Sequence, residues 1–355
     1  MTRHCLAVRL DSMGDVLLAG PAVRAAAAHC DRVTMLAGPQ GAAAARLLPG
    51  VGTVLTWSCP WVVRDPPPVR AGDVRTLAGR LAVESFTDAV IFTSFHQSPL
   101  PTALVLRLAG IPRIAAISED YPGSLLDLRY RCGDSLPEPE RALGLARAAG
   151  FGVPPEDDGR LAVRQPLPDV TALTGPGPYV VLHPGASAPA RRWPACRWVE
   201  AAAELAGRGR RVILTGGGAE RVMTAAAARA ARRGGGRVLD LGGRTSLAEL
   251  AAVLAGADAV MVANTGVAHL AAAVRTPVVS LFAPVVPAAR WAPYGVPVAL
   301  LGDQDAPCRD SRAVRCPIPG HPCLSGVSAG TACDALDRLA AAAAGPVRAA
   351  AGEGR

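Results

Sequence analysis

Four short stretches carry the residues of this sequence that are equipped for chemistry, and each runs from apolar residues through a small or polar turn into a helical segment. In "RLDSMGDVLLAGPAV" the turn Asp11, Ser12, Met13, Gly14 brings Asp15 to the opening of a helix. The positive helix end stabilises a carboxylate there, which can cap the helix or act as general base toward a hydroxyl. In "YVVLHPGASAPARRWP" the apolar run ends in His183, Pro184, Gly185 and Ser187, followed by the Arg191–Arg192 pair. Small residues let a ligand approach the backbone, Ser187 offers a hydroxyl, and two guanidiniums match diphosphate oxygens in fork geometry.

The third stretch, "VILTGGGAERV", gives Thr215, three glycines and Glu220 near a helix start, where a carboxylate can accept hydrogen bonds from a ribose diol. The G-x-G-x-x-G fingerprint is absent, so nicotinamide binding has no support. The fourth, "VMVANTGVAHLAAAV", sets Asn264, Thr265 and Gly266 at the turn into a helix whose free N–H groups can hold phosphate or sugar oxygens. His269 falls in the first turn of that helix, where the local field disfavours its protonation. Taken alone it reads as a packed structural histidine; beside three other polar strand ends it reads as ligand-facing.

The elements that must position these residues alternate along the whole chain. Strands are expected at 5–10, 32–36, 52–55, 88–92 and 113–117, and helices at 16–29, 40–48, 73–84, 99–109 and 139–149. After a Pro- and Gly-rich stretch at 151–178, with a short strand expected at 160–163, the alternation resumes. Strands are expected at 179–183, 210–214, 237–240, 258–262 and 277–281, with helices at 195–207, 219–233, 246–255, 266–274 and 331–344. This pattern specifies parallel βαβ units, and 355 residues exceed one ordinary core. The α/β fold class follows, as two doubly wound domains that bind ligands at the carboxyl ends of their strands, facing a cleft. The expected division is an N-terminal domain over 1–165, a C-terminal domain over 166–330, and a helix and tail over 331–355.

Composition narrows the function. The chain has no lysine, so all 37 basic residues are arginine, and the net charge is +8. That excludes Schiff-base lysines and a Walker-type phosphate loop. Aromatics are 4% and do not interleave with a basic run, so nucleic acid is not an expected partner. The charged start "MTRHCLAVRLDSMGD" is not a signal peptide, and no apolar run is long enough to cross a membrane. The expected location is cytoplasmic, with Arg-bearing faces leaving room for peripheral membrane contact. Five of the nine cysteines are scattered singly, while "CRDSRAVRCPIPGHPC" gathers Cys308, Cys316, His321 and Cys323 at spacings that match no zinc knuckle. A metal, a disulfide and reduced thiols all remain open for that group.

The motifs and their order resemble glycosyltransferase family 9, the ADP-heptose:lipopolysaccharide heptosyltransferases of the GT-B fold. The likeness runs through "RLDSMGDVLLAGPAV", "HPGASAPARRWP", "LTGGGAE", "LGGRTSLAELAAVLAGAD", "NTGVAHLAAAVRTPVVSLFAPVVPAARWAPYG" and "CPIPGHPCL". It implies two Rossmann-like domains and an inverting, metal-independent transfer of heptose or a related sugar from a nucleotide diphosphate, ADP-heptose favoured, to a glycan or glycolipid hydroxyl. No cofactor is implied. Carried over by position, Asp15 is the base; Ser187, Arg191, Arg192, Thr265, Gly266 and His269 hold the donor diphosphate; Glu220 and Asn264 meet the nucleoside and sugar. Two positions depart from the family pattern: Arg191 stands where lysine is usual, and Asn264 stands where aspartate is usual. A GT-B nucleotide-sugar epimerase or hydrolase, or a non-catalytic nucleotide-sugar-binding protein, are the alternative readings.

Overall fold

Parallel strands need long crossover connections, and in both halves of the chain most successive strands are joined through a helix. The structure, a computed structural model, describes residues 2–344 apart from 64 and 134; the tail expected beyond 344 lies outside the described residues. It comprises two units, Met1–Arg164 and Gln165–Arg355.

The first unit runs β1 (His4–Arg9), α1 (Met13–Leu18), α2 (Gly20–Ala27), β2 (Arg32–Ala37), α3 (Ala42–Leu47), β3 (Thr53–Thr56), α4 (Ala71–Ala82), β4 (Asp88–Ile91), α5 (Leu100–Leu108), β5 (Arg113–Ile117), β6 (Leu128–Tyr130) and α6 (Glu138–Ala148). Its six strands form one parallel sheet in the order β3-β2-β1-β4-β5-β6. Every residue of β1 and β4 is buried, as expected of central strands covered by helices on both faces.

The second unit runs α7 (Thr171–Thr174), β7 (Val180–His183), α8 (Ala195–Gly207), β8 (Val212–Leu214), α9 (Arg221–Arg233), β9 (Val238–Asp240), α10 (Leu247–Ala255), β10 (Ala259–Ala263), α11 (Gly266–Ala273), β11 (Val278–Leu281), α12 (Ala288–Trp291), β12 (Val298–Leu301), α13 (Pro322–Ser325) and α14 (Ala329–Ala344). Its parallel sheet has the order β12-β11-β10-β7-β8-β9. The core gathers around the edge-to-face pair Trp193 and Trp198, whose ring centroids are 5.1 Å apart. The last helix, α14, packs on α8, and Arg208 ties the two with ion pairs to Asp334 and Asp337, each at 2.8 Å.

Three expectations need correction. The helix read as 16–29 is two, α1 and α2, because Pro21 lacks the N–H that a continuous helix needs there. Moreover, α1 starts at Met13, which makes Asp15 its third residue. The strand expected at 160–163 does not form. Instead Leu161 and Val163 are buried in the first unit, and the Arg164 N–H bonds the Leu47 carbonyl at 2.7 Å. The strands β6 and β12 were not expected: both are sheet edges, half-buried along most of their length, and β6 is only three residues with Arg129 at its centre, while β12 is a short apolar run.

Candidate functional site

In a doubly wound sheet the binding crevice opens where the strand order reverses, outside the carboxyl ends of the strands. The first sheet reverses between β1 and β4 and the second between β7 and β10. Three of the four polar stretches fall at those two reversals, and the glycine-rich stretch after β8 borders the second.

At the first reversal, Asp15 uses both carboxylate oxygens. Its Oδ2 accepts from the Ser12 hydroxyl at 2.7 Å and the Ser12 N–H at 3.3 Å, closing the start of α1, while Oδ1 accepts from Arg9 Nη2 at 3.0 Å. Closing the helix start and pairing with Arg9 therefore coexist in one side chain, which keeps 18% exposure. The Arg9 guanidinium projects from buried β1 into a ring of carboxylates: Asp11 at 2.9 Å, Asp15 at 3.0 Å and Glu138 of α6 at 3.9 Å. Burial works against the Arg9 charge, and these three carboxylates outweigh it, holding the group above its ordinary value. Glu138 is shared with Arg141 at 2.6 Å. From the loop after β4, Ser94 and Gln97 donate to Asp11 at 3.2 and 2.8 Å, which joins the two strands that flank the reversal.

At the second reversal, His183 ends β7 and shares a 3.0 Å hydrogen bond with Thr215, at the end of β8. Burial pushes the ring down to about 4, so it is neutral at ordinary pH. Past it, Ser187 is exposed, Arg191 is half-buried and partnered, and Arg192 is exposed with Nε donating to the Ala186 carbonyl at 2.8 Å. Asn264 follows β10 and continues the ladder by donating its N–H to Leu281 at 3.1 Å. Its side chain is only 5% exposed, and the amide Nδ2 has no hydrogen-bond partner among the described residues. Thr265 is the extended residue before α11 and makes no side-chain capping bond, so the positive end of that helix is left to other acceptors. His269 is buried on α11 and is partnered within the protein.

Glu220, expected beside a ribose, opens the turn into α9 and is held by the glycine-rich stretch. Its Oε2 accepts the Gly217 N–H at 2.9 Å, and the side chain lies over Gly185 and Gly216. A Cβ on Gly216 would come within 2.8 Å of Glu220 Cβ, and one on Gly185 within 3.1 Å of its carboxyl carbon. These two glycines make room for a side chain of the protein itself.

All nine cysteines are free. Cys308 lies within hydrogen-bond reach of both Cys316 and Cys323, and burial pushes the Cys323 thiol up to about 12. His321 is not with them: its Nε2 meets the Ala190 carbonyl at 3.0 Å, and the Ala190 N–H meets the Val314 carbonyl at 2.9 Å. The cysteine loop thus braces the turn that carries Arg191. Among the described residues no three His, Cys, Asp or Glu side chains are grouped to hold a metal ion.

Sequence reading passed over Arg9, Asp11, Glu138 and Arg141. The available signal was Arg9 itself, a charge inside the strand run "CLAVRL", which a strand buried on both faces tolerates only with partners.

Comparison with known proteins agrees with this geometry. The family model described as glycosyltransferase family 9 (heptosyltransferase) matches residues 88–320. Lipopolysaccharide heptosyltransferase 1 of Pseudomonas aeruginosa is 32% identical over 249 residues, 68% of this chain and 66% of that protein. Lipopolysaccharide heptosyltransferase 2 of Escherichia coli is 28% identical over 235 residues, 61% of this chain and 65% of that protein. The aligned part of the chain therefore spans just under two thirds of the length of these relatives. In fold, the chain is similar to the E. coli ADP-heptose heptosyltransferase II structure, with a TM-score of 0.72, 20% identity, and coverage of 96% of this chain and 99% of that one. The E. coli heptosyltransferase WaaC with ADP gives 0.66 and 21% at the same coverage. The two reversal-point sheets have the GT-B architecture of those structures, and the chain belongs to glycosyltransferase family 9.

Proposed function

We propose that this chain is an inverting, metal-independent glycosyltransferase that moves heptose or a related sugar from an ADP-linked donor to a glycan or glycolipid hydroxyl. The observation that carries the reading is the second reversal point. There the uncapped start of α11, the unpartnered amide of Asn264 and the Arg191–Arg192 turn belong to neighbouring strand ends. Such a set suits an anion with sugar attached.

In the proposed reaction Asp15 takes the proton of the acceptor hydroxyl while its oxygen forms a bond to the anomeric carbon. The bond from that carbon to the diphosphate oxygen breaks on the opposite face, so configuration inverts and the nucleoside diphosphate leaves. Charge growing on the leaving group is met by Arg191, Arg192 and the N–H groups of α11. Asn264 donates to a donor oxygen, a bond that the aspartate usual in the family cannot make when ionised. The relatives named for heptose transfer and the solved complex with ADP support the choice of donor. Work takes place in the cytoplasm under this proposal, where nucleotide sugars are made, on an acceptor presented at the membrane surface.

The test is to incubate the purified protein with ADP-heptose and a deacylated lipopolysaccharide-core acceptor and to follow ADP release and product mass. A parallel thermal-shift panel of ADP-, GDP-, UDP- and dTDP-sugars reads the base. Transfer with an inverted product and a shift with ADP compounds is expected. Turnover of donor at the same rate without acceptor, or no shift with any nucleotide, overturns the reading.

A further inference from the structure

Asp11 is absent from the family-derived site and yet is held by three side chains. Its Oδ1 accepts from Gln97 at 2.8 Å, and its Oδ2 accepts from Ser94 at 3.2 Å and lies 2.9 Å from Arg9 Nη2. That same nitrogen is 3.0 Å from Asp15 Oδ1 and 2.9 Å from Ser94 Oγ. One buried nitrogen therefore donates to Asp15 and Ser94 and forms an ion pair with Asp11 as well. The charged and titratable groups around Asp11 are Arg9 from β1, Asp15 from α1 and Cys59 from beyond β3, with Glu138 and Arg141 of α6 reached through Arg9. Two guanidiniums face three carboxylates in this group, so it carries a net charge of −1 when fully ionised.

A buried Arg–Asp pair by itself lowers the proton affinity of the carboxylate and makes a weak base. A second carboxylate on the same guanidinium counters this in two ways: it divides the attraction and it repels the first. Burial pushes the Asp11 carboxyl up, Arg9 pulls it down, and the neighbouring Asp15 pushes it up again, leaving it above its ordinary value. Asp15, the more exposed of the two, has 18% of its side chain open against 8% for Asp11.

We propose that Asp11 is a positioning residue for the base: by sharing Arg9 with Asp15 it holds the guanidinium in place and limits Arg9's grip on Asp15, so that Asp15 can accept a proton. This rests on the assignment of Asp15 as base in the proposed transfer. Asp11 does not touch the substrate in this scheme; it acts through the shared Arg9 and through its own negative charge beside Asp15.

The test uses Asp11→Asn, with Asp11→Ser repeating the charge removal with a smaller group. First, the Asp15 carboxyl is titrated by NMR in protein carrying carbon-13-labelled aspartate, its resonance assigned by loss in Asp15→Asn. Its midpoint is expected to fall by about one pH unit in both variants, since a like charge has been removed. Second, the acid limb of kcat for sugar transfer should move down by the same amount, with plateau kcat about three- to tenfold lower and KM for the nucleotide sugar unchanged. A folded variant whose Asp15 midpoint stays fixed or rises overturns the proposal, as does a kcat loss with an unmoved acid limb. The NMR arm needs no substrate: if wild type transfers no sugar while the midpoint still shifts, the function reading falls and the coupling of Asp11 to Asp15 stands.

Discussion

Arg9 holds Asp11 and Asp15 through one nitrogen, with Nη2 2.9 Å from the first carboxylate and 3.0 Å from the second. The two aspartates lie on either side of the β1–α1 turn, so the strand that positions the turn also supplies the cation that fixes both of its carboxylates. This geometry makes the turn rigid before any substrate arrives.

If Asp15 is the base, Asp15→Asn removes proton acceptance while keeping the shape of the turn. We expect kcat for transfer to fall by about a thousandfold, within the range for loss of a general base. Affinity for ADP, measured by calorimetry, should be unchanged because Asp15 belongs to the first unit and the residues proposed to bind the diphosphate to the second. Retained activity in this variant would remove Asp15 from the mechanism.

Asn264 offers a stability test of a binding role. A buried amide donor without a partner costs free energy in the unliganded protein, by about 1–3 kcal/mol. Asn264→Leu, which keeps the branched shape without the polar atoms, is therefore expected to match or exceed the wild-type Tm while raising KM for the nucleotide sugar about tenfold. A lower Tm with unchanged KM would mark Asn264 as structural.

His183 sets a pH dependence of stability. Its ordinary value is 6.5 and burial takes it to about 4 in the folded chain, so between these values the unfolded chain binds more protons. Stability is present in full above pH 6.5 and is lost as pH falls toward 4, by about 3 kcal/mol. His4 is also pushed down by burial, so the comparison is with His183→Asn. Urea denaturation from pH 7 to 4 should show a shallower decline for that variant; parallel curves would contradict the assignment.

Gly38 guards the turn from behind. A Cβ there would fall 2.3 Å from the Leu10 carbonyl oxygen and 3.4 Å from that of Asp11, both backbone atoms. Gly38→Ala should cost about 2 kcal/mol or more in urea denaturation and lower kcat as the Asp11 backbone shifts. Wild-type stability would show that the loop yields without strain.

Much of this was legible from local pattern. Strand β5 and helix α8 fall at the expected residues, and the other expected elements within a few, apart from the absent strand at 160–163 and the divided helix at 16–29, because an apolar run too short for a helix and a small-residue turn leave the chain few choices. Pro21, which divides α1 from α2, was visible but was outweighed by the Ala-rich run around it. Edge strand β6 was hidden because an edge needs no continuous apolar run to be held, whereas the apolar run of β12, Val298–Leu301, was there to be read.

By itself the sequence determined that Asp15, Arg191, Arg192 and Asn264 follow closely after the carboxyl ends of strands, since side-chain type and periodicity act over a few residues. Only the tertiary structure decided which strand ends are neighbours, that Arg9 gathers Asp11, Asp15 and Glu138, that Glu220 rests on Gly185, and that His321 leaves the cysteines for Ala190. Those contacts join residues up to 131 positions apart. They follow from the order in which strands dock and from the need of each buried charge for a partner, neither of which is written in any local stretch.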